Sequence, residues 1–130
     1  MKIAIIGSRS WNNHDIFYKQ VTNDLIDNKP TVIISGGAIG VDTMAEQYAR
    51  EHNIPIQIIR PDYKNIEMNQ KYGKDKWGKI APLERNKIIA NECDMMIAFI
   101  LDNSSGTMFT IKEAQKLGKK VIMHLVQDKI

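Results

Sequence analysis

Three short loops hold the groups best suited to chemistry: Gly7-Ser8-Arg9-Ser10-Trp11, Gly36-Gly37-Ala38-Ile39-Gly40-Val41-Asp42 and Ser104-Ser105-Gly106-Thr107. Their small residues let a ligand approach the main chain. The second and third loops also run directly into helical patterns, whose first N–H groups lack intrahelical partners and attract anions. A phosphate cradle needs both features. One glycine pair would signal only a tight turn, but three such loops at one sheet edge point to a phosphate or ribose site.

The polar residues of these loops have more than one use. Arg9 can present a planar fork to a phosphate or carboxylate, or form a surface ion pair. Trp11 can stack on a base or cap the core beneath its loop. Asp42, in the first turn of a predicted helix, can meet the helix dipole, a sugar hydroxyl or a Mg²⁺ ion accompanying a nucleotide. Arg85 and Asn86 are either a polar pair reaching across the crevice or part of a solvated face.

The elements that must position these residues follow from hydrophobic periodicity. Lys2 to Ile6 reads as a buried first strand ended by Gly7, and Asp15 to Asn28 as a helix closed by Lys29-Pro30. Thr31 to Ser35 is the second strand. Val41, Met44, Ala45, Tyr48, Ala49 and His52 then form one continuous helical stripe, stopped at Asn53. Ile54 to Ile59 is a third strand. Arg60 to Lys79 shows no sustained period, and Pro82 suits the first turn of a helix reaching about Glu92. Met95 to Leu101 is a fourth strand, Asp102 to Gly106 a turn-rich loop, Thr107 to Leu117 a helix, and Lys120 to Leu125 the last strand.

Strands alternating with helices predict an α/β fold: a three-layer, Rossmann-like, five-stranded parallel sheet of order 3-2-1-4-5 with helices on both faces. Winding reverses between the first and fourth strands, so the binding crevice is expected beyond their carboxyl ends.

The 130 residues, 43% of them apolar, suit a single domain over 1–130. No stretch approaches the roughly 18 consecutive apolar residues of a membrane span, and Met1-Lys2 leads into a strand pattern, so a cytoplasmic protein without a membrane partner is expected. The single cysteine, Cys93, reads as packing. The three histidines share no ligand spacing, so no intrinsic metal site is expected. A net charge of +3 suits an anionic ligand without requiring one.

The loops and several further pieces together resemble the SLOG superfamily, which includes the DprA DNA-processing proteins and the Lonely Guy phosphoribohydrolases. The resemblance is strongest to its YspA/YpsA-related branch of bacteria and phages. The matching pieces are Gly7-Ser8-Arg9 with Trp11, Gly36-Gly37-Ala38 with Gly40-Val41-Asp42 and Ala45, Trp77-Gly78, Ala81, Arg85-Asn86, Asp94 with Ala98-Phe99, and Gly106-Thr107 with Ala114. The resemblance implies a nucleotide or nucleotide-derived ligand, with the Gly36–Asp42 and Ser104–Thr107 loops at its phosphate, Arg9 and Arg85 near it, and a homo-oligomer, typically a dimer.

One departure bears on catalysis. The phosphoribohydrolases carry PGGxGTxxE, whose glutamate assists N-glycosidic cleavage, whereas Asn103 to Thr110 lacks the leading glycines and has Thr110 in the glutamate's place. A neutral hydroxyl is a poor substitute for that carboxylate.

Three functions are therefore weighed. The first is a binding module that senses, carries or sequesters a nucleotide-derived signal or metabolite. The second is a nucleotide N-glycosidic hydrolase or transferase using Glu113 or Glu84. The third is a single-stranded DNA binder using the basic, aromatic segment with Tyr63, Tyr72 and Trp77. That segment also reads as a lid over a small ligand.

Overall fold

Strands β1 (Lys2–Gly7) and β4 (Met95–Leu101) lie side by side at the centre of a computed structural model that describes residues 1–102 and 104–127. Asn103, which the sequence reading put in the turn-rich stretch Asp102 to Gly106, and residues 128–130 lie outside the described residues. The central pair is parallel, with Ile3 opposite Met95, Ile5 opposite Ile97 and Gly7 opposite Phe99. β2 (Val32–Ser35) and β3 (Ile56–Ile58) extend the sheet beyond β1, and β5 (Lys120–Val126) extends it beyond β4, giving the order β3-β2-β1-β4-β5.

The period-two alternation of strand side chains divides the core between the two faces of this sheet. Ile3 and Ile5 join Met95, Ile97 and Phe99 on one face, packed by α1 (His14–Asp24) through Phe17 and Val21 and by α2 (Val41–Glu51) through Val41, Met44 and Tyr48. Ala4 and Ile6 join Met96, Ala98 and Ile100 on the other. There α4 (Lys74–Glu92) contributes Ile89 and Ala90, and α5 (Ser105–Lys116) contributes Ile111 and Ala114. All seven residues of β4 are buried, as a strand covered by helices on both faces must be. This is the expected three-layer architecture and strand order.

Several boundaries differ from expectation for local reasons. The first helix ends at Asp24 and does not continue to Asn28, because the Asn28 amide turns back and donates to the Asp24 carbonyl at 2.9 Å, satisfying a terminal acceptor. The segment expected to be irregular contains α3 (Ile66–Tyr72) and the first two turns of α4. Asn65 caps α3 by accepting from the Met68 N–H. Pro82, expected in a first helical turn, lies inside α4, whose inward side carries Trp77, Ala81 and Ile89. Cys93 is buried, and burial raises its thiol pKa, in keeping with a packing role. Among the described residues no helix is long and apolar enough to cross a membrane.

Candidate functional site

A cleft of ≈ 420 Å³ opens beyond the carboxyl ends of β1 and β4, a volume within the range of small-ligand sites. The strand ends supply Gly7, Ser8 and Arg9 after β1, Ala38 and Asp42 after β2, and Ser104, Gly106 and Thr107 after β4. α4 closes the other side with Lys79, Pro82, Leu83, Arg85 and Asn86, and Tyr63 reaches in from the turn before α3.

Ten of the sequence-predicted ligand residues therefore meet at one cleft, and six do not line it. Trp11 is only 2% exposed. It stacks on Phe99 with ring centroids 5.3 Å apart and donates its indole N–H to the Gln127 carbonyl. The structure thus selects the core-capping role. Val41 is buried against β1, and Ser105 is exposed outside the cleft. Gly36, Gly37 and Gly40 belong to the β2–α2 turn without lining the cleft.

That turn is also less open to an anion than its sequence implied. The Gly37 N–H donates to Ser35 Oγ at 3.1 Å, the Ala38 N–H to Asp42 Oδ2 at 3.1 Å, and the Val41 N–H to the Ser8 carbonyl at 3.2 Å. Three donors that could cradle a phosphate are satisfied from within, two of them by side chains only two and four residues away. By contrast, the N-cap residue Ser104 makes no side-chain cap hydrogen bond to α5, whose first turn presents Gly106 and Thr107 to the cleft. The N-terminal amides of α5 are the ones suited to an anion.

Charge is arranged around Asp42. The residue is 8% exposed, and burial raises the pKa of its carboxyl to about 6 against the opposing pull of the Ala38 N–H and the Arg85 and Arg9 guanidinium groups. Arg85 donates through Nε to Asn86 Oδ1 at 2.7 Å and through Nη1 to the Gly36 carbonyl. Burial lowers the pKa of Arg85, and Asp42 counters it. Arg85 thus holds the β2–α2 turn in place as well as lining the cleft. A Cβ on Gly36 would stand 2.7 Å from Arg85 Nη1 and 2.9 Å from Asp42 Oδ2, so a bare residue there lets the cation and the acid share the turn. Arg60, which no motif in the sequence marks, clamps the same turn through the Gly37 carbonyl at 3.3 Å.

Neither candidate catalytic glutamate lines the cleft. Glu84 faces Lys87 at 3.4 Å on an exposed stretch of α4, and Glu113 faces Lys116 at 3.8 Å. Thr110 does line it, with its hydroxyl donated to the Gly106 carbonyl at 2.9 Å. Asp42 is the one carboxylate among the described lining residues, and no group of three or more metal-ligating His, Cys, Asp or Glu side chains occurs among the described residues. An acid already bonded to Ala38 and facing two guanidinium groups does not fit a Mg²⁺ ion.

Lys79 escapes notice as a site residue, and Tyr63 is marked only as part of a basic, aromatic segment, because the stretch containing them lacks a period. A usable signal is present nearby. Trp77, Ala81, Arg85 and Ile89 recur every fourth residue, which puts Arg85 in line with three buried side chains.

Residues 1–65, half of the 130-residue chain, match the model of the YAcAr family, the YspA, cpYpsA-related SLOG family. The Gene 61 protein of Mycobacterium phage D29 is 29% identical over 130 residues, spanning 93% of this chain and 94% of that protein. Among solved structures, DNA processing protein A (DprA) from Streptococcus pneumoniae has a TM-score of 0.71 at 24% identity, a likeness of fold covering 94% of this chain and 49% of that one. DprA from Helicobacter pylori, described for its single-stranded DNA binding mode, has a TM-score of 0.67 at 27% identity over 95% of this chain and 64% of its own. The chain thus spans less than two thirds of either DprA chain.

Proposed function

Since the chain belongs to the YspA, cpYpsA-related SLOG family, we propose that its cleft binds a nucleotide or nucleotide-derived ligand by the phosphate, as a sensing, carrying or sequestering module. The observation that carries this reading is the meeting of Arg9, Arg85 and the uncapped first turn of α5 at one cleft. Guanidinium forks and free amides are the groups that hold phosphate oxygens. Binding is favoured over N-glycosidic cleavage because Glu84 and Glu113 stand away from the cleft, paired with lysines.

A second reading, single-stranded DNA binding, draws support from the H. pylori DprA likeness and from a basic rim on α3 and α4. There Lys71 and Lys76 sit 5.2 and 5.7 Å from the Tyr72 ring centroid. One experiment separates the two. Isothermal titration with nucleoside mono- and diphosphates should give saturable binding that Arg9→Ala weakens about tenfold or more, the worth of a charge-assisted hydrogen bond. If only oligonucleotides bind, with affinity growing with length and falling with salt at a log–log slope of about −0.7 per phosphate contact, the DNA reading replaces the first. No binding to either probe would remove both.

The homo-oligomer implied by the family resemblance is assigned here to β5, an outer strand with Met123 49% and Leu125 82% exposed. Sedimentation should show self-association that Leu125→Lys abolishes. A monomer at micromolar concentration would count against it.

A further inference from the structure

The wall of the cleft contributed by α4 and the turn before α3 differs in chemistry from the wall made by the strand ends. The strand-end side brings Arg9, Thr107 and the α5 amides, whereas the other side sets Tyr63, Pro82 and Leu83 beside its own cations, Lys79 and Arg85. Tyr63 is 50% exposed, and an exposed tyrosine alone would mean little.

What sets this one apart is the fixing of its backbone. The Trp77 indole N–H donates to the Asp62 carbonyl at 2.7 Å, and the Asn69 amide donates to the Tyr63 carbonyl at 2.9 Å. The Asn65 side-chain amide donates to Asp62 Oδ2 at 3.2 Å, while its oxygen caps α3. The turn that carries the ring is thereby tied to both helices, and Trp77 is itself buried.

A bare phosphate or a sugar phosphate has no use for an aromatic ring with apolar neighbours beside its anion site, and a flat heteroaromatic ring does. A tyrosine on a backbone already held in place has only two side-chain torsions left to order when it stacks. We propose that Tyr63 is the stacking platform for the base of the ligand, so that the cleft takes nucleoside phosphates in preference to sugar phosphates. This rests on the phosphate-binding reading above.

The test compares AMP, GMP, CMP and UMP with ribose 5-phosphate, which has the sugar and phosphate but no base, in the wild type, Tyr63→Phe and Tyr63→Ala. At least one nucleotide should bind the wild type about tenfold or more tightly than ribose 5-phosphate, since stacking on one aromatic ring is worth that much. Tyr63→Phe should keep the preference. Tyr63→Ala should erase it by weakening nucleotide binding about tenfold more than ribose 5-phosphate binding. Equal wild-type affinity for nucleotide and sugar phosphate, or a preference that survives Tyr63→Ala, would overturn the role of Tyr63 and leave phosphate binding intact. Failure of the wild type to bind any of the five compounds would overturn the phosphate-binding reading itself.

Discussion

Asp42→Asn is expected to stabilise the protein at pH 8 by about 3 kcal/mol and to leave it nearly unchanged at pH 4. The folded carboxyl has a pKa of about 6 against an ordinary 3.8, with burial as the main cause. The native state therefore holds this proton more tightly than the unfolded chain does. The stabilisation from that proton is complete below the unfolded value and is lost as pH rises through about 6. Above that the ionised group costs roughly 1.4 kcal/mol for each pH unit that separates the folded from the unfolded value. Asparagine keeps the size and an oxygen for the Ala38 N–H, now 3.1 Å from the carboxylate, but brings no charge to desolvate. Its amide can meet Arg9 or Arg85 unfavourably, which makes about 3 kcal/mol an upper figure.

Thermal melts at the two pH values provide the test, with a rise on the order of 10 °C expected at pH 8. A melting difference that does not change between pH 4 and pH 8 would rule out charge burial as its cause. Asp42 lines the cleft that also holds Arg9 and Arg85, so its ionisation changes the charge beside both guanidinium groups.

The parts legible in advance were those governed by patterns spanning a whole element. β4 occupies Met95–Leu101 as expected, because an uninterrupted apolar run of only seven residues, followed by turn residues, fits a strand covered on both faces better than a helix. The stripe from Val41 to Ala49 specified α2, and Asn53, with φ 55°, supplied the left-handed stop. Alternation of these elements then determined the strand order and, through the winding reversal, the location of the cleft.

What was not legible depended on contacts that a period cannot show. α3 buries no residue, so it leaves no hydrophobic signature. The inward stripe of α4 is broken by Arg85, whose polarity serves the cleft. The β2–α2 turn looked open to phosphate because its glycines are visible in the sequence, whereas the use of its amides by Ser35 and Asp42 is a matter of rotamers. Trp11 admitted two readings until the structure stacked it on Phe99, far along the chain.

Gly40→Ala should be the most damaging single methyl in the protein, lowering stability by about 4 kcal/mol in urea denaturation. Two costs combine. Gly40 has φ 76° and ψ −127°, a region that side-chain-bearing residues occupy only at a cost of about 1–3 kcal/mol. Its Cβ would also lie 2.5 Å from the Ser8 carbonyl oxygen and 2.6 Å from that of Arg9, both main-chain atoms that cannot rotate away. Overpacking of this kind adds about 1–3 kcal/mol. The displaced segment is the one that carries Arg9 and accepts the Val41 N–H through Ser8 at 3.2 Å, so ligand binding should fall along with stability. Gly78→Ala is the matched control. It sits inside α4 with nothing within 4 Å of the new methyl, and alanine there should stabilise by about 0.5–1 kcal/mol through helix propensity and a less flexible unfolded chain. Opposite signs from the same substitution would tie the loss to the close approach of the β1–α1 loop and α2. A tolerated Gly40→Ala would show that the two loops do not meet, and the shared cleft built on their contact would go with it.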